Sequence, residues 1–154
     1  MSPSTNQEPP ISDPVVMIGG RAYTVVYDLR AEFKLSEWDI SPSEMMARLY
    51  KYIPMLNADG TPTLNEEGQA LYTPETKGKW LFHILNLFAA CVARNFTNEI
   101  APTGEQWSAR IAGEPGTLAI ISKAVYDAMG KWLRSRTPAS LQPQTASPST
   151  SAPN

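Results

Sequence analysis

The sequence predicts a mainly helical α+β fold, in which an N-terminal β-hairpin is followed by about five helices packed as a small bundle. Two β-branched and aromatic runs flank the pair Gly19-Gly20, and helix-start signals recur along the rest of the chain. The 154 residues are 42% hydrophobic, which suffices to bury one core and leaves little for a second. We therefore expect a single domain over residues 14–136.

The Gly19-Gly20 pair predicts a two-residue hairpin turn, because both glycines can take positive φ without steric cost. Such a turn places Ile18 opposite Arg21 and thereby fixes the register of the two strands. One face of the hairpin then carries Val16, Ile18, Tyr23 and Val25. An isolated hairpin is marginally stable in water, so we expect it to pack on helices or on another subunit.

Ser, Thr and Asp residues that can accept hydrogen bonds from helix N-terminal amides mark the predicted helices. The helices are expected at about 29–38 after Asp28, about 42–53 after Ser41, from Thr73-Pro74 to about 95, after Thr103, and at about 117–135. Between the second and third helices, two similar turn-forming pieces lie eight residues apart, at 56–60 and 64–68. They predict either a small hairpin or an irregular loop.

The two ends of the chain are rich in Pro, Ser and Thr and poor in large apolar residues. We expect disordered tails at 1–13 and 137–154, because such segments bury too little to offset the entropy of ordering. The N-terminus has neither a basic leader nor an apolar core, which favours a cytoplasmic protein over a secreted one. The longest apolar stretch, 80–93, falls short of the roughly 20 residues of a membrane span.

His83 and Cys91 are the only histidine and the only cysteine, and no catalytic or metal-binding group can be assembled from them. They lie eight residues apart on one predicted helix, about 12 Å along its axis, so they cannot meet within a subunit. We interpret His83 as a core or boundary residue and Cys91 as a buried free thiol. The sequence predicts no catalytic residues, no metal ligands and no cofactor.

The loop between Met55 and Glu66 superficially matches a calcium loop in its spacing of Asn57, Asp59 and Gly60. Met55, however, occupies the position of the first carboxylate ligand. We therefore interpret Asn57 and Asp59 as turn residues.

The net charge of −2 argues against a large nucleic-acid-binding surface. A basic cluster at Lys131, Arg134 and Arg136 is more simply explained by the favourable effect of cations at a helix C-terminus.

Four Trp and six Met residues are many for a core of this size, and both types are favoured at adaptable binding surfaces. We expect part of the apolar set to bind a partner or a second copy. The candidate residues are Ile18, Tyr23, Val25, Phe33, Trp38, Trp107 and Trp132.

Four segments in order resemble the tail assembly chaperones of long-tailed bacteriophages. Residues 17–29 are similar to the family's opening hairpin, with Gly-Gly, a basic residue, Tyr two residues after it and an Asp-Leu helix entry. Residues 87–91 resemble its small-residue helix, residues 102–107 its "Thr-x-Glu" helix entry, and residues 124–129 its final amphipathic helix. The sequence departs from the family over 41–79, where an additional helix and a turn-rich loop replace a shorter connection.

The resemblance implies a non-enzymatic protein of the infected host cytoplasm that coats the tape measure protein and keeps it soluble. Tail-tube protein then polymerises around that client, and the chaperone is absent from the mature virion. The resemblance also fits a homo-oligomer. Two alternatives stay open: a structural tail protein such as a terminator or adaptor, and a small DNA-binding regulator.

Overall fold

The computed structural model describes residues 12–136. It shows the expected α+β, mainly helical fold with an N-terminal hairpin and five α-helices. The elements are β1 (Val15–Ile18), β2 (Arg21–Thr24), α1 (Leu29–Glu37), α2 (Pro42–Leu49), β3 (Tyr52–Pro54), β4 (Tyr72–Pro74), α3 (Trp80–Val92), α4 (Gly104–Arg110) and α5 (Pro115–Arg136). The predicted tails lie outside the described residues, except for Ser12 and Asp13.

The N-terminal hairpin has the predicted register, with Ile18 paired to Arg21 across Gly19 and Gly20. Both glycines have positive φ, 59° and 80°, as the tight turn requires. The predicted inner face is confirmed, because Val16, Tyr23 and Val25 are buried and Ile18 packs against the core. The hairpin is therefore held by the helices of its own chain.

Helix α3 is the centre of the bundle, and most of its residues are buried. Helices α1, α2, α4 and α5 all pack against it, as does β2. An aromatic cluster joins three elements in this core. The Trp107 ring of α4 packs edge-to-face with the rings of Tyr23 and Phe88, with ring centroids 5.1 Å apart in each pair.

The long helix α5 buries Ile121, Val125 and Ala128 against the bundle. It also holds the start of the described chain, because Lys131 Nζ lies 2.7 Å from Asp13 Oδ1. Within residues 12–136, none of the helices combines the length and apolar character needed to cross a lipid bilayer.

Two predicted helix boundaries, the end of α2 and the start of α3, are wrong. Helix α2 ends at Leu49, and Tyr52 and Ile53, which were expected to lie in it, belong to β3. Thr73-Pro74, expected to start α3, belongs to β4, and α3 begins at Trp80. Pairing of β3 with β4 explains both errors, since a strand partner distant in sequence outweighs a local capping pattern.

The residues from β3 to β4, 52–74, form a projecting structure that we call the arm. Three backbone hydrogen bonds close a ring within it: Met55 N–H donates to Leu71 O, Leu71 N–H to Thr63 O, and Thr63 N–H to Met55 O, at 2.8–3.0 Å. The three residues are eight positions apart. The arm is therefore neither an irregular loop nor a simple hairpin, because three of its segments are hydrogen-bonded to one another.

The two turns of the arm are built alike. In each, an Asn backbone amide donates to a carbonyl four residues on: Asn57 to Thr61 and Asn65 to Gln69. In each, a glycine with positive φ follows the Asn after three residues, Gly60 at 88° and Gly68 at 81°. Asp59 accepts hydrogen bonds from the Thr61 amide and hydroxyl, which confirms the interpretation of Asn57 and Asp59 as turn residues.

Candidate functional site

The structure separates the seven predicted surface residues into three groups. Tyr23, Val25 and Trp107 are buried in the chain's own core, so as described they offer nothing to a partner. Ile18, Trp38 and Trp132 are partly buried against that core. Phe33, in contrast, is 68% exposed and is the member of the set that presents a full apolar side chain to a partner.

The edge of β2 is partly closed to strand pairing with another subunit. The Thr24 amide donates to Asn95 Oδ1 at 3.2 Å, and Asn95 Nδ2 donates to the Thr24 carbonyl at 2.9 Å. The side chain of Asn95 thus occupies backbone groups that an added strand needs. The exposed apolar residues of this hairpin, Val15 and Met17, lie on the face opposite the core.

An apolar groove of about 570 Å³ lies between α1 and the end of α3. Leu29 and Phe33 form one wall, and both are more than two-thirds exposed. Ala90 and Ala93 line it from the α3 side, where their small side chains leave the space open. We call this feature the α1 groove.

The rim of the α1 groove is mainly basic. It carries Arg30, Lys34 and Arg94, with Glu37 as the one acid among its lining residues. Lys34 pairs with Glu37 at 3.4 Å, and Arg94 pairs with Asp28 at 2.7 Å. The Arg30 guanidinium makes no ion pair with the described residues.

Asp28 fixes the geometry of the α1 groove, because it caps α1 and also binds the segment after α3. Its Oδ1 accepts from the amides of Arg30 and Ala31 and from Arg94 Nη2. Partial burial on its own raises the pKa of Asp28. The hydrogen bonds from Arg94 and the amides outweigh that effect and hold the pKa below its usual value of 3.8.

A second groove, of about 530 Å³, lies between the start of α3 and the N-terminus of α4. Its apolar lining includes Leu81, Phe82 and Leu85, and Phe82 is 52% exposed. Helix α4 approaches α3 closely here, since a Cβ on Gly104 falls 2.9 Å from the backbone nitrogen of Asn86. We call this feature the α4 groove.

The two grooves share one face of α3. Phe82, Asn86 and Ala90 succeed one another on α3 at steps of four residues, and Ala93 follows three residues later, just after the helix ends. Between Phe82 and Ala93 this face extends about 16 Å along the helix axis. The two grooves therefore follow one another along this face, and together we call them the groove surface.

The titratable groups of α3 do not assemble a reactive site. Burial lowers the pKa of His83, and the nearby cations of Lys79 and Arg48 lower it further. Burial raises the pKa of the Cys91 thiol, which is fully enclosed. Across residues 12–136, no three His, Cys, Asp or Glu side chains are grouped closely enough to hold a metal ion.

The basic end of α5 is engaged within the chain. Lys131 pairs with Asp13, and the Arg136 guanidinium lies 5.4 Å from the centroid of the Trp132 ring. These contacts agree with a structural role for the cluster.

The arm exposes a second apolar surface. Its exposed large residues are Tyr52, Met55, Leu56, Leu64, Leu71 and Tyr72. Between Ile53 and Pro74 the arm carries three acids, Asp59, Glu66 and Glu67, and no Lys, Arg or His. The arm is thus an acidic, apolar projection.

Sequence reasoning missed Leu29, Phe82 and Arg30 as surface residues. Leu29 stands one turn from Phe33, and apolar residues at that spacing usually face the core, so the spacing gave no sign that Leu29 is exposed. Phe82 belongs to a helix that is apolar nearly all round, so periodicity gives no signal of where neighbouring helices leave it uncovered.

No model of a known protein family matches the sequence, and comparisons with curated proteins and with solved structures find no significant match.

Proposed function

We propose that this protein is a tail assembly chaperone of a long-tailed bacteriophage, which binds the tape measure protein and keeps it soluble until tail-tube protein assembles around it. The sequence resemblance suggests the family. The structural observation that supports a binding role is the groove surface, which leaves Leu29, Phe33 and Phe82 exposed along one face of the bundle.

The groove surface is suited to an amphipathic helix. An apolar stripe of about three turns matches the 16 Å between Phe82 and Ala93. Covering a large apolar side chain contributes roughly 1.5–3 kcal/mol, so Leu29, Phe33 and Phe82 supply a useful part of the binding free energy. The cations at the α1 groove favour acidic residues beside the client's apolar stripe.

In this proposal the protein acts by binding and carries out no catalysis. It works in the host cytoplasm, as part of a homo-oligomer, and leaves before the virion is complete. Tape measure proteins are long, so many copies of a small binding domain along one client agree with a chaperone that coats it.

The arm favours a second candidate, a structural tail protein such as a terminator or adaptor. Its closed hydrogen-bonded ring displays Leu56, Leu64 and Tyr72 on an ordered projection, which is suited to a permanent contact between subunits. Mass spectrometry of purified particles distinguishes the two candidates. A chaperone is absent from mature particles, whereas a structural protein is retained in fixed stoichiometry.

Co-expression with the tape measure protein of the same phage tests the proposed function. We expect the client to be soluble with the parent chain and insoluble with Phe33→Ser/Phe82→Ser. The control is Ile120→Ser on α5, which removes an apolar side chain that is 55% exposed but lies outside the groove surface. A client that stays insoluble with the folded parent protein contradicts the proposal.

A further inference from the structure

The arm and the α1 groove carry opposite charges, and both expose apolar side chains. The arm combines exposed Leu56 and Leu64 with Asp59, Glu66 and Glu67, and no basic residue lies between its ends. The α1 groove combines exposed Leu29 and Phe33 with a mainly basic rim. Each surface therefore has an apolar centre flanked by charges opposite to those of the other.

We infer that the arm of one copy docks into the α1 groove of a second copy. Leu56 and Leu64 contact Leu29 and Phe33, and the acids of the arm face the basic rim. Arg30 is the rim residue most available to pair with an acid of the arm, because its guanidinium makes no ion pair within the described chain.

We place the contact between the arm of one copy and the α1 groove of another because, within one chain, neither surface is covered by the other. The base of the arm is tied to the α2 side of the body: Glu75, just after β4, pairs with Lys51 at 3.2 Å and with Arg48 at 3.7 Å. With the arm held there, Leu64 stays 56% exposed and Phe33 stays 68% exposed. The arm thus does not fill the groove of its own chain.

Other segments of the chain fit the α1 groove less well. Residues 137–154 contain no Asp or Glu, so they cannot complement the basic rim. Residues 1–11 contain one acid, Glu8, within a segment rich in Pro. The arm carries three acids and several exposed apolar residues, and its closed ring presents them in a fixed arrangement.

Sedimentation velocity of the full chain over a range of protein concentrations tests this docking. We expect the parent protein to self-associate, and Phe33→Asp and Leu64→Asp each to weaken the association constant by about tenfold or more. Both positions are exposed, so folding should be retained, and circular dichroism of each variant checks this. Raising the salt concentration should weaken association of the parent.

A charge exchange makes the test specific. Arg30→Glu and Glu67→Lys should each weaken association by roughly threefold, and the two substitutions together should recover most of the loss. Glu114→Lys is the matched control for Glu67→Lys, since it makes the same charge change at an exposed residue that precedes α5 and lies outside both surfaces. It should leave the association constant unchanged.

Two results overturn the inference. One is a parent chain that stays monomeric over the whole concentration range. The other is association that is weakened by the groove variants but not by the arm variants, because a different segment then occupies the groove. The docking uses the groove proposed above for the client, but this experiment contains no client, so its outcome is independent of the solubility test.

Discussion

Asp28 Oδ1 lies 2.7 Å from Arg94 Nη2, so the carboxylate that caps α1 is also bound to the segment that follows α3. The same oxygen accepts from the amides of Arg30 and Ala31. One side chain thus sets both where α1 begins and how it lies on α3. The position of Phe33 along the α1 groove depends on this contact.

Asp28→Ala should lower the free energy of unfolding by about 1–2 kcal/mol, because it removes the cap of α1 and leaves Arg94 without its partner. Asp28→Asn should cost less, since Asn is also a good N-cap residue and only the charge is lost. Urea unfolding followed by circular dichroism measures both. If both variants lost the same free energy of unfolding, the ion pair with Arg94, and not the helix cap, would account for the stabilisation by Asp28.

The contribution of the Asp28 charge should depend on pH in the acid range. Its native pKa is lowered, so its stabilisation is complete above the unfolded-state pKa near 3.8 and is lost as the pH falls from there through the native pKa. The difference in stability between the parent and Asp28→Asn should be constant at neutral pH and shrink below about pH 4. A difference that grows on acidification contradicts the assignment.

Gly104→Ala should destabilise the protein by about 1–3 kcal/mol, because the new Cβ falls 2.9 Å from the Asn86 backbone nitrogen and forces α4 away from α3. Gly116→Ala in α5 is the matched control. No heavy atom lies within 4 Å of a Cβ there, so the substitution should be neutral or slightly stabilising. Thermal unfolding midpoints of the two variants compare them directly.

Tyr23→Asp should unfold the domain rather than dissociate an assembly. Tyr23 is 4% exposed and packs on Trp107, so an uncompensated carboxylate there has to be buried or the core has to open. Met17→Asp, on the exposed face of the same hairpin, should leave the fold intact. Near-ultraviolet circular dichroism separates loss of packing from loss of association, and a folded monomeric Tyr23→Asp would contradict this prediction.

The Cys91 thiol should react with a thiol reagent such as DTNB only when the chain opens. It is fully buried, and burial raises its pKa, so little thiolate is available in the native state. The labelling rate should rise steeply across the urea transition. Rapid labelling of the native protein would show that α3 is accessible without unfolding.

The turn and register of the first hairpin were predictable because residues adjacent in sequence determine them. Gly19-Gly20 specifies the turn, and the turn specifies that Val16 and Tyr23 share a face. The boundaries of α3 were not predictable in the same way. Thr73-Pro74 has the pattern of a helix start, and only its pairing with Tyr52 and Ile53 places it in a strand.

The exposure of individual apolar residues was harder to predict than the fold. Trp107 and Phe33 are both aromatic residues at helical spacing, yet one lies at the centre of the core and the other is exposed. Their difference arises from which neighbouring helices cover them, a tertiary property that periodicity does not report. The eight-residue repeat in the arm was visible in the sequence, but the ring that it builds depends on three segments meeting at once.

The hydrogen-bonded ring of Met55, Thr63 and Leu71 restricts how many residues the arm can contain. Each eight-residue segment contributes one residue to the ring of three hydrogen bonds. Deleting eight residues would leave only two segments, which cannot close the ring, and inserting eight would add a segment whose backbone has no partner in it. We therefore expect length variation within the arm to be tolerated only in the turns around Gly60 and Gly68.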